Sequence, residues 1–204
     1  MMTTFTHAFI DETHRILDAL DTASVEALAA DLAAVRARGG RLFVLGVGGS
    51  AGHAGHAVND FRKLCGFEAY APTDNVAELT ARTNDDGWET VFSSWLEGSR
   101  LGPDDALLVF SVGGGDLGRN VSPNIVRAVE TARHVGAGIH GIVGRDGGFT
   151  AASADSCVII PPLVAERVTP HTEGLCAVIW HLLVSHPALQ HVSARWESVA
   201  VDRP

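Results

Sequence analysis

Apolar and polar positions follow two different periods along this chain, and the changes of period mark its elements. Phe5, Phe9, Ile16 and Leu20 fall on one helical face, with Ile10 and Leu17 beside them. Val25, Leu28, Leu32 and Val35 repeat at spacings of three and four, from an expected cap at Ser24 to a stop at Gly39-Gly40. Helices this apolar, placed ahead of the first strand, suit a partner subunit as well as the chain's own sheet. Continuous apolar runs follow: RLFVLGV (41–47), the shorter FEAYA (67–71), ALLVFSV (106–112), GIHGIVG (138–144) and CVIIP (157–161). Helical stretches separate or follow them, near 50–64, 76–82, 88–100 and 123–134, with a long final helix over about 172–186. Strands that are apolar throughout and alternate with helices predict an α/β fold, a parallel sheet covered on both faces. No repeat or linker divides the chain. One domain is expected over 1–204, with N-terminal helices at about 3–38, a core at about 41–186 and a tail at 187–204.

Composition narrows the function. With 204 residues, 46% hydrophobic and 19% charged, the chain carries a full core and is not disordered. The net charge of −9 argues against nucleic acid as a partner, while leaving room for a local positive pocket. No apolar run reaches the ~18 residues of a membrane span, and the N-terminus has no apolar leader core, so no membrane partner and a cytoplasmic location are expected. Three scattered cysteines, Cys65, Cys157 and Cys176, read as reduced thiols.

The 22 glycines cluster at strand ends. Gly46-Val47-Gly48-Gly49-Ser50-Ala51-Gly52 runs from a strand into a helix, where exposed amides and a partial positive charge suit an anion. Ser111-Val112-Gly113-Gly114-Gly115-Asp116, continuing through Arg119 and Asn120 to Ser122-Pro123, does the same after a second strand. Neither matches the P-loop. The dinucleotide fingerprint is approached only by Gly46-x-Gly48-x-x-Ala51 and stays a rival of low weight. In an open parallel sheet, ligands bind beyond the carboxyl ends of the strands, where these loops lie.

His56 and Asp60 stand four apart, on one face of the helix that also carries His53. Such a pair can give two ligands to one metal or be an ordinary surface pair. On the final helix Glu173 and His181 are eight apart, about 12 Å along the axis, so only a metal between them would join both.

Together, GVGGSAGHAGHAVNDF (46–61), TNDDGWETVF (83–92), SVGGG (111–115) with NVSPNIVRA (120–128), and PHTEGLCAVIWH (170–181) resemble the SIS (sugar isomerase) domain family over roughly residues 5–186. The nearest branch is that of phosphoheptose isomerases, which convert sedoheptulose 7-phosphate to a manno-heptose 7-phosphate. The resemblance implies a flavodoxin-like three-layer αβα fold with a five-stranded parallel sheet. It also implies a homotetramer with sites at subunit interfaces, a small sugar phosphate as ligand, and a divalent metal, Zn2+. By position it implies phosphate or substrate contacts at Gly48, Gly49, Ser50, Asn84, Asp85, Ser111 and Ser122; in the longer loop, backbone amides such as those of Gly113 and Gly114 are expected to take more of the anion, with Arg119 or Asn120 as candidate additions. The implied metal ligands are His56, Asp60, Glu173 and His181.

The chain departs from the family in four places. Its phosphate loop is longer by about six residues (within 113–121) and carries Val112-Gly113 in place of a Thr-Ser. Asp60 replaces Glu, Glu173 replaces Gln, and Pro170 replaces an acid, leaving His171 as a candidate for a sugar-hydroxyl contact.

Aldose–ketose isomerisation moves a proton between C1 and C2 through an enediolate and needs an acid, a base and an oxyanion stabiliser. Asp60 and His181 are expected to transfer the proton, with Glu173 as a reserve base. Two alternatives remain: a non-catalytic phosphosugar-binding regulatory or assembly protein, and an isomerase of a different sugar phosphate. The four retained acid and imidazole groups favour an enzyme, because a sensor needs only the phosphate loops.

Overall fold

The computed structural model describes residues 4–198. Residues 1–3 and 199–204, the outermost parts of the expected N-terminal and tail segments, lie outside the described residues. Two helices open the chain, α1 (Phe5–Asp18) and α2 (Thr22–Ala37). The core then runs β1 (Leu42–Leu45), α3 (Gly49–Cys65), β2 (Ala69–Tyr70), α4 (Val76–Asp85), α5 (Val91–Gly98) and β3 (Ala106–Ser111). It continues with α6 (Pro123–Val135), β4 (Gly138–Val143), α7 (Gly148–Ser153), β5 (Ser156–Ile159), α8 (Val168–Ser185) and α9 (Arg195–Ser198).

All strand pairs are parallel, in the order β2-β1-β3-β4-β5. This is the flavodoxin-like order, and its switch point falls between β1 and β3, the two strands that end in the glycine loops. Side chains along a strand point alternately to opposite faces, and the apolar runs exploit both. Leu42 and Val44 of β1, with Leu108 and Phe110 of β3, pack beneath α2, α3 and α8 against Leu28, Leu32, Phe61 and Ile179. Phe43 and Leu45, with Leu107 and Val109, face α5 and α6 and meet Phe92, Leu96, Ile125 and Val129.

Several boundaries differ from the sequence reading. Asp21, not Ser24, caps α2, its Oδ1 accepting from the Ala23 amide at 3.0 Å; the Ser24 hydroxyl lies one turn in and donates to the Asp21 carbonyl at 2.7 Å. The last long helix begins at Val168, earlier than Thr172, because Pro170 sits in a first turn that needs no amide donor. The segment α7 was not expected, since six residues are too few to show a helical period. Of the expected apolar face of α1, Ile16 is buried while Phe5, Ile10 and Leu17 stay exposed.

Two polar clamps tie the ends of the chain to this core. Glu12 of α1 receives a two-pronged contact from Arg167, through Nε at 2.8 Å and Nη2 at 2.6 Å. The buried His171 adds a third contact to Glu12 at 2.9 Å, and Phe9 stacks on its ring at 4.4 Å. Arg36 donates to the carbonyls of Cys65, Ala188 and Leu189, holding the start of the tail. No helix among the described residues is long and apolar enough to cross a membrane.

Candidate active site

The first glycine loop is shaped by close approach. A Cβ on Gly46 would lie 2.3 Å from the carbonyl oxygen of Ser50, so β1 can turn into α3 only through glycine. Gly48 follows with φ 62°, and no side chain caps α3. The N-terminus of α3 therefore opens toward the carboxyl end of the sheet with its partial positive charge.

The second loop is locked to the segment after β4. Ser111 Oγ accepts from the Gly114 amide at 3.0 Å. The Gly114 carbonyl accepts from the Thr150 amide at 2.9 Å and from the Thr150 hydroxyl at 2.7 Å, and the Gly115 carbonyl accepts from the Phe149 amide at 2.9 Å. The extra residues form a small hairpin. Asp116 and Val121 exchange backbone hydrogen bonds at 2.9 and 2.8 Å, and Asp116 holds the Arg119 amide at 3.0 Å. Asn120 and Ser122 both adopt left-handed backbone, at φ 52° and 49°.

Between these loops and α8 lies a cleft of about 760 Å3. Ser50, Ser111, Gly113, Ser122 and Glu173 line it, as the sequence led us to expect for a ligand site. Glu173 stands over the first loop: its Oε1 is 2.6 Å from the position a Cβ on Gly49 would take.

His56 and Asp60 on α3 meet His181 on α8. One ligand atom from each lies within 4.8 Å of the other two. His56 Nε2 is 3.5 Å from Asp60 Oδ2, and the two imidazole centroids are 5.4 Å apart. His181 Nδ1 contacts the Ala177 carbonyl at 2.7 Å. A carbonyl can only accept, so Nδ1 carries the proton and Nε2 keeps its lone pair for a metal or a substrate proton. Two imidazoles and a carboxylate form a donor set that suits Zn2+ and leaves a coordination position open.

The two groups are related by the packing of α3 against α8. Gly49 lies beside Glu173, and His56 beside His181, so the helices run side by side in the same direction. Seven or eight residues separate the two levels, about 10–12 Å at helical rise. Glu173 consequently belongs to the cleft end and is not part of the group formed by His56, Asp60 and His181.

Other expected residues lie elsewhere. Asn84 and Asp85 end α4, where the Asn84 amide donates to Asp85 Oδ1 at 2.8 Å, away from the cleft lining. Gly48, Gly49, Gly114 and Asn120 are not among the lining residues, whereas Arg119 is; the Gly114 amide is already bonded to Ser111. His171 is buried against Glu12, not turned toward the cleft. The sequence reading missed Arg145, Asp146 and Phe149, which line the cleft from the loop after β4. The signal was present: Gly144-Arg145-Asp146-Gly147-Gly148 is a third glycine-rich strand end. The cysteines are unpaired, and burial pushes the Cys65 thiol up to about 11 and Cys157 and Cys176 up to about 12, so none supplies a thiolate.

Compared with known proteins, residues 6–144 match the SIS domain model. The chain is 37% identical over 167 residues to the phosphoheptose isomerase of Trichlorobacter lovleyi, covering 79% of this chain and 80% of that one. It is 33% identical to the lincomycin biosynthesis protein LmbN of Streptomyces lincolnensis, over 72% of this chain and 56% of that longer one. Among solved structures, the phosphoheptose isomerase of Neisseria gonorrhoeae superposes with a TM-score of 0.75 over 88% of this chain and 96% of that one. At 24% identity that likeness is one of fold.

Proposed function

This chain belongs to the SIS domain family, and from that membership we propose that it is a phosphosugar isomerase interconverting a ketose phosphate and an aldose phosphate, with sedoheptulose 7-phosphate as the ketose. One observation carries the reading. The paired helices α3 and α8 present an acid–imidazole group at one level and an anion-suited cleft at the other. Phosphate held in the cleft fixes the open sugar chain, so that binding energy far from the reacting carbons orients them. Asp60 and His181 then act on the C1–C2 unit. One takes the proton from the carbon beside the carbonyl, and the other moves a proton between the two oxygens as the enediolate forms and collapses. The lone pair on His181 Nε2 suits that imidazole to accept first. Glu173, in the cleft beside Gly49, is placed to accept hydrogen bonds from hydroxyls of the chain; it would serve as a reserve base only after turning toward His181.

His56, Asp60 and His181 would hold a divalent ion, Zn2+ in this proposal, which would polarise the carbonyl and stabilise the oxyanion; with the ion bound the His181 Nε2 lone pair would be spent on it, and the base would be the free oxygen of Asp60. Glu173 would become a fourth ligand only if its carboxylate left Gly49 and turned toward His181. The reading includes a cytoplasmic homotetramer with interfacial sites. The exposed Val178 and Leu182, which flank His181 on α8, support it as an apolar surface continuing around the reacting group. A second reading keeps the same reaction on a different sugar phosphate: the relative LmbN is named for lincomycin biosynthesis and not for heptose isomerisation.

The test is conversion of sedoheptulose 7-phosphate by the purified full chain, followed by appearance of the aldose. D60N and H181A should each lower kcat by roughly a hundredfold or more. Full turnover by H181A would remove the assignment.

A further inference from the structure

Arg145 sits at the tip of the turn that ends β4. The Gly147 amide donates to the Gly144 carbonyl at 3.0 Å, and Arg145 takes the second position of that turn with φ 53°. A left-handed backbone is unfavourable for a long side chain and, where it persists, often marks a functional position. The side chain then lies against the second glycine loop: a Cβ on Gly113 would lie 3.4 Å from Arg145 Cδ. Arg145 lines the cleft together with Ser50, Ser111 and Ser122.

The charges around it are mostly committed. Arg119 faces Asp116 at 3.4 Å, and Asp146 accepts from the Gly148 amide at 3.3 Å. Among the described residues, neither a hydrogen bond nor an ion pair engages Arg145. At the other side of the cleft the Glu173 carboxylate stands against the first turn of α3, where its negative charge opposes a second anion.

We propose that Arg145 is the residue that grips the phosphate monoester, on the Gly113 side of the cleft, with the hydroxyls of Ser111 and Ser122 beside it. A guanidinium offers two parallel N–H donors to two phosphate oxygens, a fit that a point charge does not reproduce. The loop 144–148 thus selects for a dianionic ester, while the N-terminus of α3 is left to Glu173 and the sugar hydroxyls. The ester being that of a sugar rests on the isomerase reading; the anion site does not.

The experiment uses the full chain, R145N and R145K, with inorganic phosphate and sedoheptulose 7-phosphate as separate probes. Asparagine tolerates a left-handed backbone, so R145N removes the charge without straining the turn. Titration calorimetry should show phosphate affinity falling by roughly tenfold to a hundredfold in R145N and by less in R145K. KM for the sugar phosphate should rise in the same order. Wild-type phosphate affinity in R145N, or no phosphate binding by the unaltered chain, overturns the proposal. Loss of phosphate binding in R145N, in a chain that isomerises no sugar phosphate, upholds the anion site and removes the isomerase reading instead.

Discussion

A Cβ on Gly114 would lie 1.9 Å from the carbonyl oxygen of Gly147, and Gly114 itself is left-handed at φ 69°. Both facts come from one contact, the nesting of the second glycine loop on the turn before α7. Gly52, inside α3, has open space where its Cβ would be. G114A should therefore cost at least about 2 kcal/mol, combining a forced shift of backbone with an unfavourable φ. G52A should be neutral or should stabilise by about 0.5–1 kcal/mol, as an alanine in a helix interior does. Urea unfolding of the two variants decides it, and equal midpoints would contradict this account of the loop. Single residues were legible where local chemistry fixed them. The glycine loops at the strand ends and the shared helical face of His56 and Asp60 needed only chain order and spacing, while the roles given to Ser111, Ser122 and the pair came from the family resemblance. Glu173 was not, because a spacing of eight gives a side chain's level on its helix but not the group beside it at that level. Arg145 was missed for a different reason: its loop has the same glycine signal as the other two, but the expected chemistry was already satisfied by those.

Among the elements, the strands were the most legible, because β1 and β3 are long apolar runs that end in glycine loops; β2 is only two residues long, and β4 carries the buried His140. The docking of α1 was not. It depends on Glu12 meeting Arg167 and His171, residues more than 150 positions away, with no local pattern to announce it. Two charged hydrogen bonds from Arg167, followed by the contact with His171, hold the Glu12 carboxyl down at about 2, against an ordinary value of 4.5. A carboxyl depressed in the folded state stabilises that state above its unfolded value and loses this contribution as pH falls through its folded value. The clamp should thus be fully formed above about pH 5 and should weaken progressively from there toward pH 2. E12Q removes the titrating group. The difference in melting temperature between the unaltered chain and E12Q should shrink steadily as pH falls from about 5 toward 2. A difference that held or grew over that range would show that Glu12 does not hold α1 as an anion.

At the scale of the whole molecule, the parallel packing of α3 on α8 turns two local sites into a measuring device. The cleft end is marked by Gly49 beside Glu173, and the reacting end by His56 beside His181, about 10–12 Å farther along the pair. The reach from carbonyl to phosphorus shortens by one bond for each carbon removed, so a five-carbon chain falls short of a seven-carbon chain by two bonds. Both ends can be engaged at once only by a substrate long enough to reach. Because anchoring the phosphate is what positions the reacting carbons, a short substrate loses orientation as well as affinity. The expected order of kcat/KM is sedoheptulose 7-phosphate above fructose 6-phosphate above ribulose 5-phosphate, with a fall of roughly tenfold or more for each carbon removed. The helix pair is rigidly packed through Ile179, Leu183 and Phe61, so the span cannot contract to suit a shorter chain. Equal turnover of the five-carbon ester would mean that phosphate and reacting carbons are not held at the two levels of α3 and α8. The cluster of His56, Asp60 and His181 would then have to be served by an anion site other than the cleft between the glycine loops.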